Sequence, residues 1–213
     1  MIRAILFDRD GVLVDSNEVI ISAYRITGKK LGLKVPSKDF FRKRLGRTYP
    51  EILEKTYGKD KKIVKTYKET WKGKKLIRKI KKMPGLNKLM RKIKLPKALV
   101  TAGTLRLTNL LLKNSLKYFQ AVITMEDTKK NKPNPEPLLI ACKKLNVKPE
   151  EAVYVGDTIT DYRTAMNAGT KFIGFLSNGA TRREFKKAGV KIMIKSLDNL
   201  PNALKKLNGV TGI

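Results

Sequence analysis

The 213-residue sequence contains no histidine, and that absence removes a large block of chemistry. Histidine general bases, His-ligated zinc and Ser/His/Asp triads are all excluded. Catalysis must rest on carboxylates, lysine or hydroxyls, and a hard, oxygen-liganded cation is favoured over zinc. There is one cysteine, Cys142, so no internal disulfide can form. It lies in PLLIACKKLNV, which reads as an amphipathic helix, and a small buried core side chain is the expectation. Acid is scarce, with 18 Asp+Glu against 48 Lys+Arg and a formal net charge of +30. No apolar run approaches the roughly 18 residues that a membrane crossing needs, and no signal-peptide pattern appears. A cytoplasmic location without a membrane partner is therefore expected.

Hydrophobic residues make up 41% of the chain, a globular composition. The length suits one substantial core or a core plus an inserted module. A surface this basic attracts anions and would hold nucleic acid non-specifically at low salt. The lysines, however, are scattered along the whole chain. KDKKIVKTYKETWKGKKLIRKIKK has helical apolar spacing with a solvated basic face, which favours a lysine-rich background over a dedicated nucleic-acid surface.

Residues 2–7 read as a short buried strand. From about Asn17 to Lys82 the pattern is helical, punctuated at VPSKD, RTYPE and YGKD, with no convincing strand. A turn at MPGLNKLM precedes another helix. Strands then alternate with helices: strands at 97–101, 121–124, 152–156, 171–175 and 191–194, helices near 105–114, 136–146, from 160, near 181–187 and at the end. This alternation predicts an α/β fold with a Rossmann-like parallel sheet covered on both faces. The helical block interrupts it, so residues 1–15 and 84–213 are expected to form the core and 16–83 an inserted helical cap.

In an open α/β sheet, ligands bind outside the carboxyl ends of the strands. After the first strand come Asp8, Arg9 and Asp10, and after the second Thr101, Ala102 and Gly103. Lys132 and Pro133 follow the third, and Asp157 and Asp161 the fourth. Such a set would hold a phosphate and a divalent cation. Each element alone has an ordinary reading: a surface turn for the Asp pair, a loop for Lys-Pro, and a helix cap for GDTITD through Asp157 or Thr158. Their order after successive strands is what carries the signal.

These motifs resemble the haloacid dehalogenase-like hydrolase superfamily. Asp8, Asp10, Gly11, Asp15 and Ser16 match its Asp-x-Asp-Gly-x-x-x-Asp-Ser motif, and Thr101 its strand-ending hydroxyl. KPNPEP from Lys132 matches the third motif; Gly156, Asp157 and Asp161 match the fourth. The cap position resembles the branch holding phosphoglycolate phosphatase-like and beta-phosphoglucomutase-like enzymes. The resemblance implies Asp8 as nucleophile, giving an aspartyl-phosphate, and Asp10 as the acid that protonates the leaving oxygen and then the base for water. It implies Mg2+ held by Asp8, Asp157 and the backbone carbonyl of Asp10. Lys132, Thr101 and N–H groups near Ala102 and Gly11 would bind phosphoryl oxygens. Asp161 would bind metal through water or orient Lys132. Arg9 replaces an apolar residue common in the family, and strand alternation places its side chain away from the phosphate. Val12 stands where many phosphatases have threonine and the mutase branch often valine.

Within the cap, RKRLGRT (42–48) offers Arg44 or Arg47 to clamp a substrate carboxylate or second phosphate, or simply ends a helix with basic residues. Tyr67 and Trp71, at i and i+4, are expected in the cap's own apolar seam. The expected function is a Mg2+-dependent phosphatase for a small phosphorylated metabolite, phosphoglycolate first, acting as monomer or homodimer. A phosphosugar mutase is the first alternative. A basic nucleic-acid-associated protein, or a phosphatase of nucleic-acid ends on the same fold, is the second.

Overall fold

The computed structural model describes residues 1–72 and 74–209. Strand β1 (Ala4–Phe7) and a short β2 (Val14–Asp15) open the chain. The helices α1 (Asn17–Lys30), α2 (Lys38–Arg42), α3 (Tyr49–Tyr57), α4 (Lys61–Thr70) and α5 (Lys74–Ile77) follow, then β3 (Lys81–Lys82) and α6 (Leu86–Lys92). Alternation then runs β4 (Lys97–Val100), α7 (Leu105–Leu112), β5 (Ala121–Ile123), α8 (Glu136–Lys144), β6 (Ala152–Gly156), α9 (Ile159–Ala168), β7 (Lys171–Phe175), α10 (Arg182–Ala188), β8 (Met193–Ile194) and α11 (Leu200–Leu207).

Six strands form one parallel sheet in the order β5-β4-β1-β6-β7-β8. β1 lies inside it, pairing Phe7 with Leu99 on one side and Val155 on the other. Its residues AILF are all buried, as a strand covered on both faces requires. Alternate side chains feed two cores. Ile5, Phe7, Leu99, Val153 and Val155 belong to one, while Leu6, Ala98, Val100 and Tyr154 belong to the other. The thiol of Cys142 is buried in the second, as expected from its helix.

Between β2 and β3 the helices surround an apolar cluster of their own, including Ile21, Tyr24, Phe41, Ile52 and Tyr67. Here the structure corrects the all-helical reading of 17–82. Lys81 and Lys82 form β3, antiparallel to β2, with Val14 opposite Lys82. Two exposed lysines carry neither alternation nor β-branching, so nothing local announces that strand. The ribbon ties together the two chain segments that lead into and out of the helical block. Among the described residues no helix is long and apolar enough to cross a membrane.

Candidate active site

Asp8 follows β1 directly, and its N–H continues the ladder to Val155 O at 2.9 Å. Asp157 follows β6, the adjacent strand, so the two carboxylates emerge side by side. Lys132, in the loop after β5, donates from Nζ to Asp8 Oδ1 at 2.7 Å and to Asp161 Oδ1 at 2.9 Å, and also contacts the Tyr154 hydroxyl. Asp161 is placed by a reciprocal cap on α9. Thr158 Oγ1 accepts from Asp161 N at 3.0 Å, while Asp161 Oδ2 accepts from Thr158 N and Oγ1 at 3.1 and 2.6 Å. GDTITD is therefore both a helix cap and part of the site. Both oxygens of Asp161 are engaged, Oδ2 by the cap and Oδ1 by Lys132 and Tyr154.

Asp8, Asp157 and Asp161 each bring an oxygen within 4.8 Å of the others, all buried. Asp157 Oδ2 accepts from Asn17 Nδ2 and Ser177 Oγ, both at 2.6 Å, whereas its buried Oδ1 has no partner among the described residues. Burial pushes Asp8 up to about 7; Lys132 pulls it down, and Asp161 and Asp10 add to the rise. Asp157 is pushed well above the carboxylate range by burial, then by Asp161 and Asp8. Burial works against the charge of Lys132, but Asp161 and Asp8 outweigh it and hold the ammonium above its ordinary range. The single ammonium pairs with Asp8 and Asp161 and leaves Asp157, the third buried carboxylate of the cluster, without a cation. Together with the orphaned Asp157 Oδ1, that fits a hard divalent cation such as Mg2+ held by Asp8 and Asp157.

Asp10 stands apart from this cluster. Its Oδ1 accepts from Ser16 Oγ at 2.6 Å, and its Oδ2 from Arg9 Nε and Nη2 at 3.1 and 2.7 Å. Any metal contact from Asp10 would thus come from its backbone carbonyl. Arg9 corrects the expectation that it faces away: its buried guanidinium turns onto Asp10, and Nη1 donates to Thr108 Oγ1 at 2.7 Å. Strand alternation ends with β1 at Phe7, and the chain is already turning towards Gly11, whose φ is 73°. Gly103 leaves room for that guanidinium, since a Cβ there would lie 2.2 Å from Arg9 Nη2.

Gly11 also differs from expectation. Its N–H is committed to Val14 O at 2.8 Å, so it does not face a phosphate. Its part is spatial, because a Cβ would sit 2.0 Å from Asp157 Oδ2. Thr101 is buried at the end of β4, and its hydroxyl accepts from Gly103 N at 3.0 Å. Ala102 and Gly103 line a cavity of about 620 Å³ between sheet and helical block, with Asp8, Asp10 and Asp157 at its floor.

The two cap arginines separate. Arg47 lines the cavity, paired with Glu51. Arg44 lies over the Phe40 ring at 3.4 Å and donates to Phe40 O at 2.8 Å, away from the cavity. Its aromatic neighbour one turn earlier offers a nearer partner than the cavity does. Tyr67 is buried in the cap cluster as expected, and both it and Trp71 also line the cavity.

Sequence reasoning missed Tyr154, Asn17, Ser177 and Arg42. Ser177 follows β7, so the strand-end rule extended by one strand would have found it. Asn17 adjoins the first motif. Tyr154 looked like core filling in AVYVG, yet its hydroxyl donates to Asp161 Oδ1 at 2.9 Å. Arg42 straps cap to core, donating to Gly179 O at 2.7 Å and to both Glu184 oxygens at 2.8 and 2.9 Å.

Known proteins resemble this chain in sequence and in fold. The chain is 31% identical over 184 residues to the pyrophosphatase PpaX of Bacillus velezensis, covering 81% of this chain and 82% of that one. The structure of CbbY from Rhodobacter sphaeroides in complex with phosphate superposes with a TM-score of 0.77 at 25% identity, over 94% of this chain and 96% of that one. A hydrolase from Pseudomonas syringae shares the fold with a TM-score of 0.84 at 22% identity, over 96% and 98%. Residues 5–175 match the profile of the haloacid dehalogenase-like hydrolase family. With that match added to the buried carboxylate cluster, the chain belongs to the haloacid dehalogenase-like hydrolases and is an enzyme of the phosphoric-monoester-hydrolysing kind.

Proposed function

We propose that the protein is a Mg2+-dependent phosphatase acting on a small phosphorylated metabolite through an aspartyl-phosphate on Asp8. One observation carries the reading: Asp8 and Asp157, from adjacent strand ends, share a buried cluster with Lys132, and one Asp157 oxygen is left without a partner. Bound there by Asp8 and Asp157, Mg2+ would supply the positive charge that lets a carboxylate approach a phosphate. Lys132 holds Asp8 in place and offsets part of its charge. Asp8 attacks phosphorus, and Asp10 gives its proton to the leaving oxygen and later takes one from water. Arg9 and Ser16 fix the Asp10 carboxyl at the cavity floor between those two duties. Cap residues Tyr24, Leu45 and Tyr67 line the cavity above the floor, and with substrate filling it they would keep bulk water from the reacting phosphate.

The test is phosphate release from a panel of phosphorylated metabolites, with and without Mg2+. Asp8→Asn should lower turnover by more than about 1,000-fold, since removing a nucleophile removes the route rather than one contact. Substantial residual activity would exclude Asp8 as the attacking group. Phosphoglycolate belongs in the panel as the smallest carboxylate-bearing candidate; Arg47 lines the cavity but is paired with Glu51, so a carboxylate there would have to displace that partner. A second reading, inorganic pyrophosphate as substrate, is favoured by the name of the PpaX relative, and the same panel decides it. A sugar bisphosphate isomerised without phosphate release would favour the mutase alternative.

A further inference from the structure

The reactive residues occupy only the floor of the cavity, and the space above them has a different chemistry. On the cap side it is faced by Tyr24, Tyr49, Tyr67 and Trp71. Tyr67 stacks on Tyr24 and Tyr49, with centroids 4.9 and 5.1 Å away and planes within 17° and 13°. Trp71 meets it edge-on at 6.2 Å. Stacking holds these rings in place without a ligand. The opposite wall is Leu107 and Leu110 of α7 and Met125 after β5. Leu110 is 47% exposed, an apolar side chain with no core to fill.

The cations that line the cavity are unsuited to a second small anion beside Asp8. Arg9 is committed to Asp10 and Thr108, and Arg47 is paired with Glu51. Lys68, Lys72 and Arg106 are exposed at the rim. A volume of about 620 Å³ corresponds to roughly twenty waters of liquid, and it falls within the range of sites for drug-sized ligands. A two-carbon acid phosphate or pyrophosphate would leave most of the apolar wall wet.

We infer that the leaving group is a bulky, ring-bearing, largely apolar alcohol: the substrate is its phosphate monoester, with the phosphate at Asp8 and the ring between the tyrosine stack and α7. The inference deepens the phosphatase reading and rests on it for the chemistry, but it makes a claim about binding that turnover does not decide.

The test is calorimetric titration of the intact protein in Mg2+ with two inert phosphonates, naphthylpropyl phosphonate and propyl phosphonate. Burying the ring should tighten binding by about 10–100-fold. Leu110→Asp should cut that preference at least about fivefold, by placing a charge against the ring. A preference below about tenfold, or one untouched by Leu110→Asp, overturns the inference. Phosphate release is followed in parallel from naphthylethyl phosphate, ethyl phosphate, phosphoglycolate and pyrophosphate. Failure of every one to react with Mg2+ would sink the phosphatase reading, while the phosphonate ratio would still decide this one.

Discussion

Asp157→Asn should make the metal-free protein more stable and the enzyme inert. The side chain is fully buried, one oxygen has no partner, and the two neighbouring carboxylates repel its charge. An amide of the same size keeps the acceptor for Asn17 and Ser177 and puts an NH2 donor, in place of the orphaned oxygen, into a cluster that holds the carboxylates of Asp8 and Asp161. Relieving one unsatisfied buried group is worth about 1–3 kcal/mol. At about 2–4 °C per kcal/mol for a chain of this size, the melting temperature in chelator should rise by about 2–12 °C. Magnesium works the other way and offsets most or all of that difference. At about 100-fold above its Kd, it adds about 2.7 kcal/mol to the wild type. The variant, lacking a ligand, should lose most of that shift together with its turnover. Thermal unfolding of both proteins, in chelator and in Mg2+, measures all four states. A variant that melts lower than wild type in chelator, or that keeps the full Mg2+ shift, refutes the assignment of Asp157 as a metal ligand held under electrostatic stress.

Two further outcomes concern the same cluster. Lys132→Met removes the ammonium facing Asp8 and Asp161 and should destabilise the fold by about 3–5 kcal/mol, the cost of stranding a buried charge; a melting temperature within a degree or two of wild type would contradict the ion pairs. For pH, Asp8 rises from 3.8 to about 7 on folding, so between those values the folded state holds a proton that the unfolded chain has released. Stability of the metal-free protein should therefore fall as pH rises from about 4 to about 7, and Mg2+, competing with that proton, should stabilise more at alkaline than at acid pH. Melting curves across that range, with and without Mg2+, check the sign; equal Mg2+ shifts at both ends would be inconsistent with it.

Much of the architecture was legible from local pattern. β6 and β7 occupy the same residues as the runs AVYVG and KFIGF, because fully buried parallel strands are uninterrupted apolar stretches bounded by turn residues. The Asp8, Lys132, Asp157 and Asp161 positions stood out because each comes after a strand, and parallel strands bring the residues beyond their carboxyl ends to one edge. β3 was not legible, since two lysines pair only because β2 lies beside them.

The sequence by itself determined the alternation of elements, the absence of imidazole chemistry and which acids stand at strand ends. Those are properties of single segments, set by side-chain period and residue type. Only the tertiary structure decided that Arg9 turns onto Asp10, that Tyr154 joins the Lys132 network, that Arg44 leaves the cavity while Arg47 lines it, and that the space above the carboxylates is walled by stacked rings. Each of these depends on partners brought together by packing. The Lys132–Asp8 contact alone spans 124 residues, and no local preference encodes which group waits at the far end.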